Sequence, residues 1–198
     1  MLQDLKNNYF VLRHGESKPN VLKIVLSSLE DGKKEEYTLT DRGEEQVKLS
    51  VRKAKDEELL GSDTIIYSSP FSRTKRSAEI AKEVLGVSEE INFDERLRER
   101  WFGDWEKTDV TAYQKVWDSD KKDPNHKEKN VESTKEVQER VISLITEIDE
   151  KYSGKNILLV SHGDTSQIMQ TAFMGVCPSK HRETVEPMHT ADIRKLKF

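Results

Sequence analysis

The chain has almost no cysteine, no long apolar run and no surplus of positive charge. Cys177 is its single cysteine, which excludes an intramolecular disulfide and any multi-cysteine metal site. Without a partner thiol it reads as structural. The longest apolar run, Ile157–Val160, falls far short of the roughly 20 residues needed to span a membrane. Lys and Arg number 33 and Asp and Glu 37, a formal charge of −4. Broad nucleic-acid binding requires the opposite balance, so neither a nucleic-acid nor a membrane partner is expected. The opening stretch Met1–Asn8 is polar and lacks the apolar segment of a secretory signal. With the lone cysteine, this predicts a cytoplasmic protein. Histidine pairs at H-x-x-x-H spacing are absent, as is any internal repeat, and no metal and no cofactor are expected.

A length of 198 residues suits one domain, 1–198, around one large core. The 35% of charged residues is high, but the signs are mixed and apolar runs recur throughout, unlike a disordered chain. Tyr9-Phe10-Val11-Leu12, Thr64-Ile65-Ile66-Tyr67 and Asn156-Ile157-Leu158-Leu159-Val160 read as strands buried on both faces, as in a parallel sheet. Helical patterns separate them. Ser133 with Glu136 forms a capping box, followed by Val137, Val141, Leu144, Ile145, Ile148 and Tyr152 on one face. A second helix starts near Thr40 and carries Val47, Val51 and Ala54. A third follows Pro70 and ends at Gly86, with Ala78, Ala81, Val84 and Leu85 inward. A fourth follows Gly163, buries Ile168, Met169, Ala172 and Phe173, and stops at Gly175. Strands alternating with helices predict an α/β fold, a three-layer α/β/α sandwich around a mostly parallel sheet. Ser27–Tyr37 and Asp118–Asn130 read as surface loops, and Ala191–Phe198 as an edge strand.

Ligands of open α/β sheets bind beyond the carboxyl ends of the strands. Three strands end there in Arg13-His14-Gly15-Glu16, in Ser68-Ser69-Pro70 with Arg73 following, and in Ser161-His162-Gly163. Parallel neighbours would bring two histidines and two arginines together, beside the free N–H groups of the helix opening at Gly163. Each guanidinium presents a planar fork suited to phosphate oxygens. A neutral imidazole is a competent nucleophile at phosphorus, and a second, protonated one would stabilise the equatorial oxygens. The expected partner is a small phosphorylated substrate.

Arg13-His14-Gly15-Glu16-Ser17, with Asn20 five residues after Gly15, resembles the RHG signature of the histidine phosphatase (phosphoglycerate mutase-like) superfamily. Further segments are similar to that family in the same order: Leu39-Thr40-Asp41-Arg42-Gly43, Ser69-Pro70-Phe71-Ser72-Arg73, Leu97–Glu106, Glu132-Ser133 and Val160-Ser161-His162-Gly163. The resemblance implies that His14 is the nucleophile and passes through a phosphohistidine. It implies that Arg13, Arg73 and His162 hold the phosphoryl oxygens, with Asn20 and Gly163 beside them. Glu99 would protonate the leaving oxygen and then deprotonate water, which requires a raised pKa. Glu95, Asp104 and Glu106 crowd the same stretch; the motif register selects Glu99.

A metal-independent phosphomonoester hydrolase, closer to the compact phosphatases, is the expected function. The alternatives are phosphoglycerate mutase-type phosphotransfer and a phosphate-binding module without turnover. The chain departs from the family at Lys107, where Gly often follows Trp-Glu, and at Ser27–Tyr37, which replaces the usual Gln-Gly step. His126, His181 and His189 read as surface or loop residues, and Tyr113 with Trp117 as helix packing. Trp101, Phe102 and Trp105 read equally as substrate-facing aromatics or as core. Either a monomer or a homodimer is compatible, with residues near Phe71 or the last strand as candidate edges.

Overall fold

A computed structural model of the chain describes Leu2 and residues 4–197. Met1, Gln3 and Phe198 lie outside them, and with them the ends of the polar opening stretch and of the tail. The strands are β1 (Asn8–Arg13), β2 (Ile65–Ser68), β3 (Asn92–Phe93), β4 (Asn156–Ser161) and β5 (Ile193–Lys195). The helices are α1 (Lys18–Leu22), α2 (Leu29–Gly32), α3 (Asp41–Asp56), α4 (Ser72–Leu85), α5 (Ala112–Asp120), α6 (Thr134–Lys151), α7 (Gly163–Phe173) and α8 (His181–Thr184).

One sheet in the order β3-β2-β4-β1-β5 runs through the molecule. Its strands are parallel except β5, which pairs antiparallel with β1. Successive residues of a strand point to opposite faces, and here both faces are covered. Tyr9, Val11, Ile157 and Leu159 pack against Leu144, Ile145 and Ile148 of α6 and Met169 of α7. Phe10, Leu12, Ile66, Leu158 and Val160 pack against Val47 and Val51 of α3 and Ala78 and Ala81 of α4. This is the three-layer α/β/α sandwich that the doubly apolar strands predict.

The helix boundaries follow from their caps. Ser133 and Glu136 form the expected reciprocal box at the start of α6. Thr40 caps α3 by accepting from the Gly43 amide at 3.0 Å. Gly86 closes α4 in the left-handed conformation, at φ 76°.

The polar segments are less loop-like than their composition suggests. Ser27–Tyr37 contains α2 and a 3-10 turn, and its Ser27, Asp31 and Gly32 are buried. Glu106 anchors it by accepting from the amides of Ser27 and Ser28, at 2.8 and 3.0 Å. Lys107 adopts φ 61°, where the related family often has glycine, and its ammonium reaches Asp31 at 2.8 Å. A lysine thus occupies a left-handed backbone position here. The start of the 118–130 stretch continues α5, and Asp120 is fully buried. Phe71 is fully buried as well.

Candidate active site

The register of the sheet builds the site. Arg13 of β1 lies opposite Ser161 of β4, and Ser68 of β2 opposite Val160. The residues that follow, His14, His162 and Ser69, therefore meet at one sheet end. The amide of His14 donates to Ser161 O at 3.1 Å, and that of Ser69 to Val160 O at 3.0 Å. The two imidazoles stand edge to face with ring centroids 5.3 Å apart. Beyond them opens a cavity of about 270 Å³.

The turn after β1 is fixed by two glycines. A Cβ on Gly15 would lie 2.2 Å from Gly43 O, and one on Gly43 2.0 Å from Glu16 O. Only residues without side chains allow α3 to dock this closely against the strand end.

His14 is buried with a defined tautomer. Its Nδ1 lies 2.7 Å from Gly15 O, and a carbonyl only accepts, so Nδ1 carries the proton. Nε2 is thereby left as a lone pair, which accepts from Arg73 Nε at 3.1 Å. Burial, then Arg73, then Arg13 hold the His14 pKa well below the ordinary imidazole value, so the ring is neutral.

Arg73 stands in the first turn of α4. It donates to Leu26 O at 2.9 Å and lies 5.0 Å over the Phe71 ring. Arg13 donates to Met188 O at 2.5 Å and lies against Gly163, where a Cβ would be 3.3 Å from the guanidinium carbon.

His162 lies behind His14, packed edge to face on Phe71 at 4.9 Å, and does not line the cavity. Its Nε2 is 2.8 Å from Ser69 Oγ. Burial and then Arg73 hold its pKa well below normal, so it is neutral rather than protonated as the sequence reading expects. Arg13 Nε, Arg73 Nη1 and His162 Nδ1 are buried and have no hydrogen-bond partner among the described residues. Three unmatched polar nitrogens from three elements, two of them obligate donors, converge on the cavity end of the sheet. Such groups are costly to bury, and a multiply charged oxyanion would satisfy them.

Glu99 is buried and opens on the cavity. Its Oε1 accepts from the amides of Arg100 and Thr165 at 3.0 and 3.1 Å and from Thr165 Oγ1 at 3.1 Å. Burial, followed by the charge of Asp164, raises its pKa. The neighbouring acids are engaged elsewhere: Glu95 with Lys33, Asp104 with Asn130 and Glu106 with Ser27. Asn20 lines the mouth; its Oδ1 accepts from Ser17 N at 3.1 Å and Ser17 Oγ at 2.8 Å, leaving the amide group for a ligand.

Other residues sit differently from their sequence reading. Tyr113 and Trp117 line the cavity instead of serving only helix packing. Phe102 is core with Val25, Val116 and Val131, Trp105 packs against that cluster, and neither Trp101, Phe102 nor Trp105 lines this cavity. His181 is fully buried, with Nε2 3.1 Å from Asp164 Oδ1. His126 is largely buried too, 3.5 Å from Asp120. Cys177 is exposed.

A supporting network escapes the sequence altogether. Fully buried Arg100 pairs with Asp120 at 2.6 and 2.7 Å and with Asp164 at 3.2 Å. Asp164 also accepts from Trp117 Nε1 at 2.9 Å. Arg100 looks like one more member of a charged stretch, and Asp164 like an ordinary helix-start acid. Only the fold joins them.

A parallel sheet with an Arg-His-Gly turn, a second arginine and a second histidine at its end defines the class. The chain belongs to the histidine phosphatase superfamily (branch 1), whose family model matches residues 9–198. It is therefore related to enzymes of phosphate-ester chemistry. It is 30% identical over 177 residues to the probable phosphoglycerate mutase GpmB of Salmonella paratyphi C, covering 84% of this chain and 74% of that protein. It is 27% identical over 168 residues to the uncharacterized phosphatase PhoE of Bacillus subtilis, covering 85% and 78%. In fold it is similar to the mycobacterial glucosyl-3-phosphoglycerate phosphatase Rv2419c, with a TM-score of 0.75, 19% identity and coverage of 94% and 88%.

Proposed function

We propose that the chain hydrolyses small phosphate monoesters through a phosphohistidine on His14, with Glu99 as proton donor. The observation that carries this reading is the state of the His14 ring: neutral, buried, and with its Nε2 lone pair set by the Nδ1–Gly15 bond.

In the first step Arg73 exchanges Nε2 of His14 for a phosphoryl oxygen. Nε2 attacks phosphorus in line, the ester P–O bond breaks, and the Glu99 carboxyl gives its proton to the departing oxygen. In the second step the Glu99 carboxylate takes a proton from water. The water oxygen attacks phosphorus, the N–P bond breaks and its electron pair returns to Nε2. Arg13 and Arg73 stabilise charge on the phosphoryl oxygens in both steps, while His162, neutral and packed behind the nucleophile, can reach them only through its unpartnered Nδ1. The raised Glu99 pKa supports this double use, because the carboxyl must be protonated for one step and ionised for the other. A binding module without turnover has no use for such a group.

The test is hydrolysis of p-nitrophenyl phosphate in the presence of EDTA. Turnover and acid-labile phosphate labelling should both vanish in His14→Ala; wild-type turnover in that variant refutes the nucleophile. Phosphotransfer is the second reading, supported by the 30% identity to a probable phosphoglycerate mutase. It requires interconversion of 2- and 3-phosphoglycerate in the presence of the bisphosphate primer.

A further inference from the structure

Arg182 of α8 lines the same cavity as His14 but is held quite differently from Arg13 and Arg73. Its guanidinium carbon lies 3.7 Å from the centroid of the Trp117 ring. Trp117 in turn stacks on Tyr113, with centroids 5.5 Å apart and planes 11° from parallel. Nη1 of Arg182 donates to Gln167 Oε1. Its Nε and Nη2 make no hydrogen bond among the described residues, and no carboxylate there lies within ion-pairing distance.

Asp164 is the acid whose charge reaches Arg182. Its oxygens, however, are already taken up by Trp117, His181 and Arg100. Asp164 therefore builds the subsite without filling it. It fixes the indole on which the guanidinium lies, and through His181 it ties down the helix that carries Arg182. A stacked guanidinium with one edge free and no acid partner is preorganised for a bidentate anion.

We propose that Arg182, held by Trp117 and Gln167, binds a second anionic group of the substrate, a carboxylate or a second phosphate on the part that leaves with the alcohol. This rests on the hydrolysis at His14 proposed above. Leu26, Val110 and Met188 also line the cavity and suit a short carbon skeleton. At about 270 Å³ the cavity lies just below the range of pockets for drug-sized ligands. The substrate class is thus a small phosphorylated acid or a bisphosphate.

Two measurements separate the subsite from the reaction. The first compares kcat/KM for ω-phosphooxy carboxylic acids of increasing chain length with the diol monophosphates of equal length. The wild type should favour the acid at one length by roughly ten- to a hundredfold, as expected for charge-assisted hydrogen bonds. The ratio should fall toward unity in Arg182→Gln and recover in part in Arg182→Lys. Diol bisphosphates form a further arm; a larger preference for them identifies phosphate as the second group. The second measurement is calorimetric binding of the same compounds to His14→Ala, with and without Arg182→Gln, where no turnover is needed. Equal binding of acids and alcohols at every length, or an acid preference that survives Arg182→Gln, overturns the subsite. Acid-selective binding without hydrolysis of any ester by the wild type retires the hydrolase reading and leaves the subsite standing. If Arg182→Gln fails to fold, Arg182→Lys decides: an undiminished acid preference there counts against the paired-donor geometry.

Discussion

Arg73 donates its Nε–H to Nε2 of His14 across 3.1 Å, so the group that would cradle phosphate also occupies the lone pair that would attack it. The same side chain is fixed by Leu26 O and by the Phe71 ring. Arg73→Ala should lower kcat for aryl phosphates by roughly a hundred- to a thousandfold, the loss of about 2–4 kcal/mol typical of one oxyanion donor. Arg73→Lys should restore little, since one ammonium cannot reproduce the fork. Steady-state kinetics on the folded variants check this, and near-complete rescue by lysine would count against paired phosphate contacts.

The two groups proposed to react, His14 and Glu99, set opposite limits on pH. The folded His14 pKa is depressed, so the ring stays neutral at and somewhat below its ordinary value, and protonation limits activity only in more acidic solution. The Glu99 pKa is raised, so its acid form persists above the usual carboxyl range and is lost as pH rises through that raised value. For alkyl phosphates, kcat/KM should therefore decline on the alkaline side. In Glu99→Gln that decline should disappear, with a loss of roughly a hundred- to ten-thousandfold in rate. The substrate's own ionisation is common to both enzymes and cancels in the comparison. The loss should be smaller for p-nitrophenyl phosphate, whose leaving group needs little protonation. Equal losses in kcat/KM, which reads the first step alone, on both ester types would show that Glu99 does not act on the departing oxygen.

Arg100 is the bulkiest fully buried side chain among the described residues, with two acids on it. Arg100→Met takes from Asp120 its buried ion partner and from Asp164 one of three contacts, and should cost about 3–5 kcal/mol, as removal of one partner of a buried ion pair does. Asp120→Asn in the same background should recover part of that. Urea unfolding at neutral pH reads both, and a loss below about 1 kcal/mol in Arg100→Met would mean that water reaches these carboxylates.

The contact between Gly15 and Gly43 has almost no slack. Gly43→Ala must push α3 from the turn that carries His14, because its Cβ would meet Glu16 O. A loss of about 1–3 kcal/mol is expected, the usual cost of overpacking, with a fall in kcat. Thermal unfolding and kinetics test it. A variant with the stability and kcat of the wild type would show that the turn yields.

The parts of this architecture that show in the sequence are those set by local pattern. The strands are apolar on both faces, so residues 9–12 and 156–160 announce a covered parallel sheet. Thr40, Ser133 and Gly86 mark helix ends because capping is decided by neighbours in the chain. His14, Arg73 and His162 stand at strand ends and helix starts, where motif order makes them visible. What stays hidden is non-local. Arg100, Asp120, Asp164 and His181 are ordinary charged residues until folding buries them together. Trp117 and Arg182 lie 65 positions apart by their numbering and share a wall because Asp164 holds Trp117 directly and the helix of Arg182 through His181. The polar 27–37 stretch conceals buried Ser27 and Asp31, since its anchor, Glu106, is far along the chain.

The closing strand has a consequence for handling the protein. Ala191 gives its amide to the carbonyls of Arg13 and His14, and Arg13 gives its own to Asp192 O, all at 3.1 Å. Met188, just before, accepts from the Arg13 guanidinium. The segment from Met188 to Asp192 thus serves as a splint along the strand that presents the imidazole. Trimming back past Met188 should therefore loosen Arg13 and dull the enzyme well before the rest of the sheet gives way.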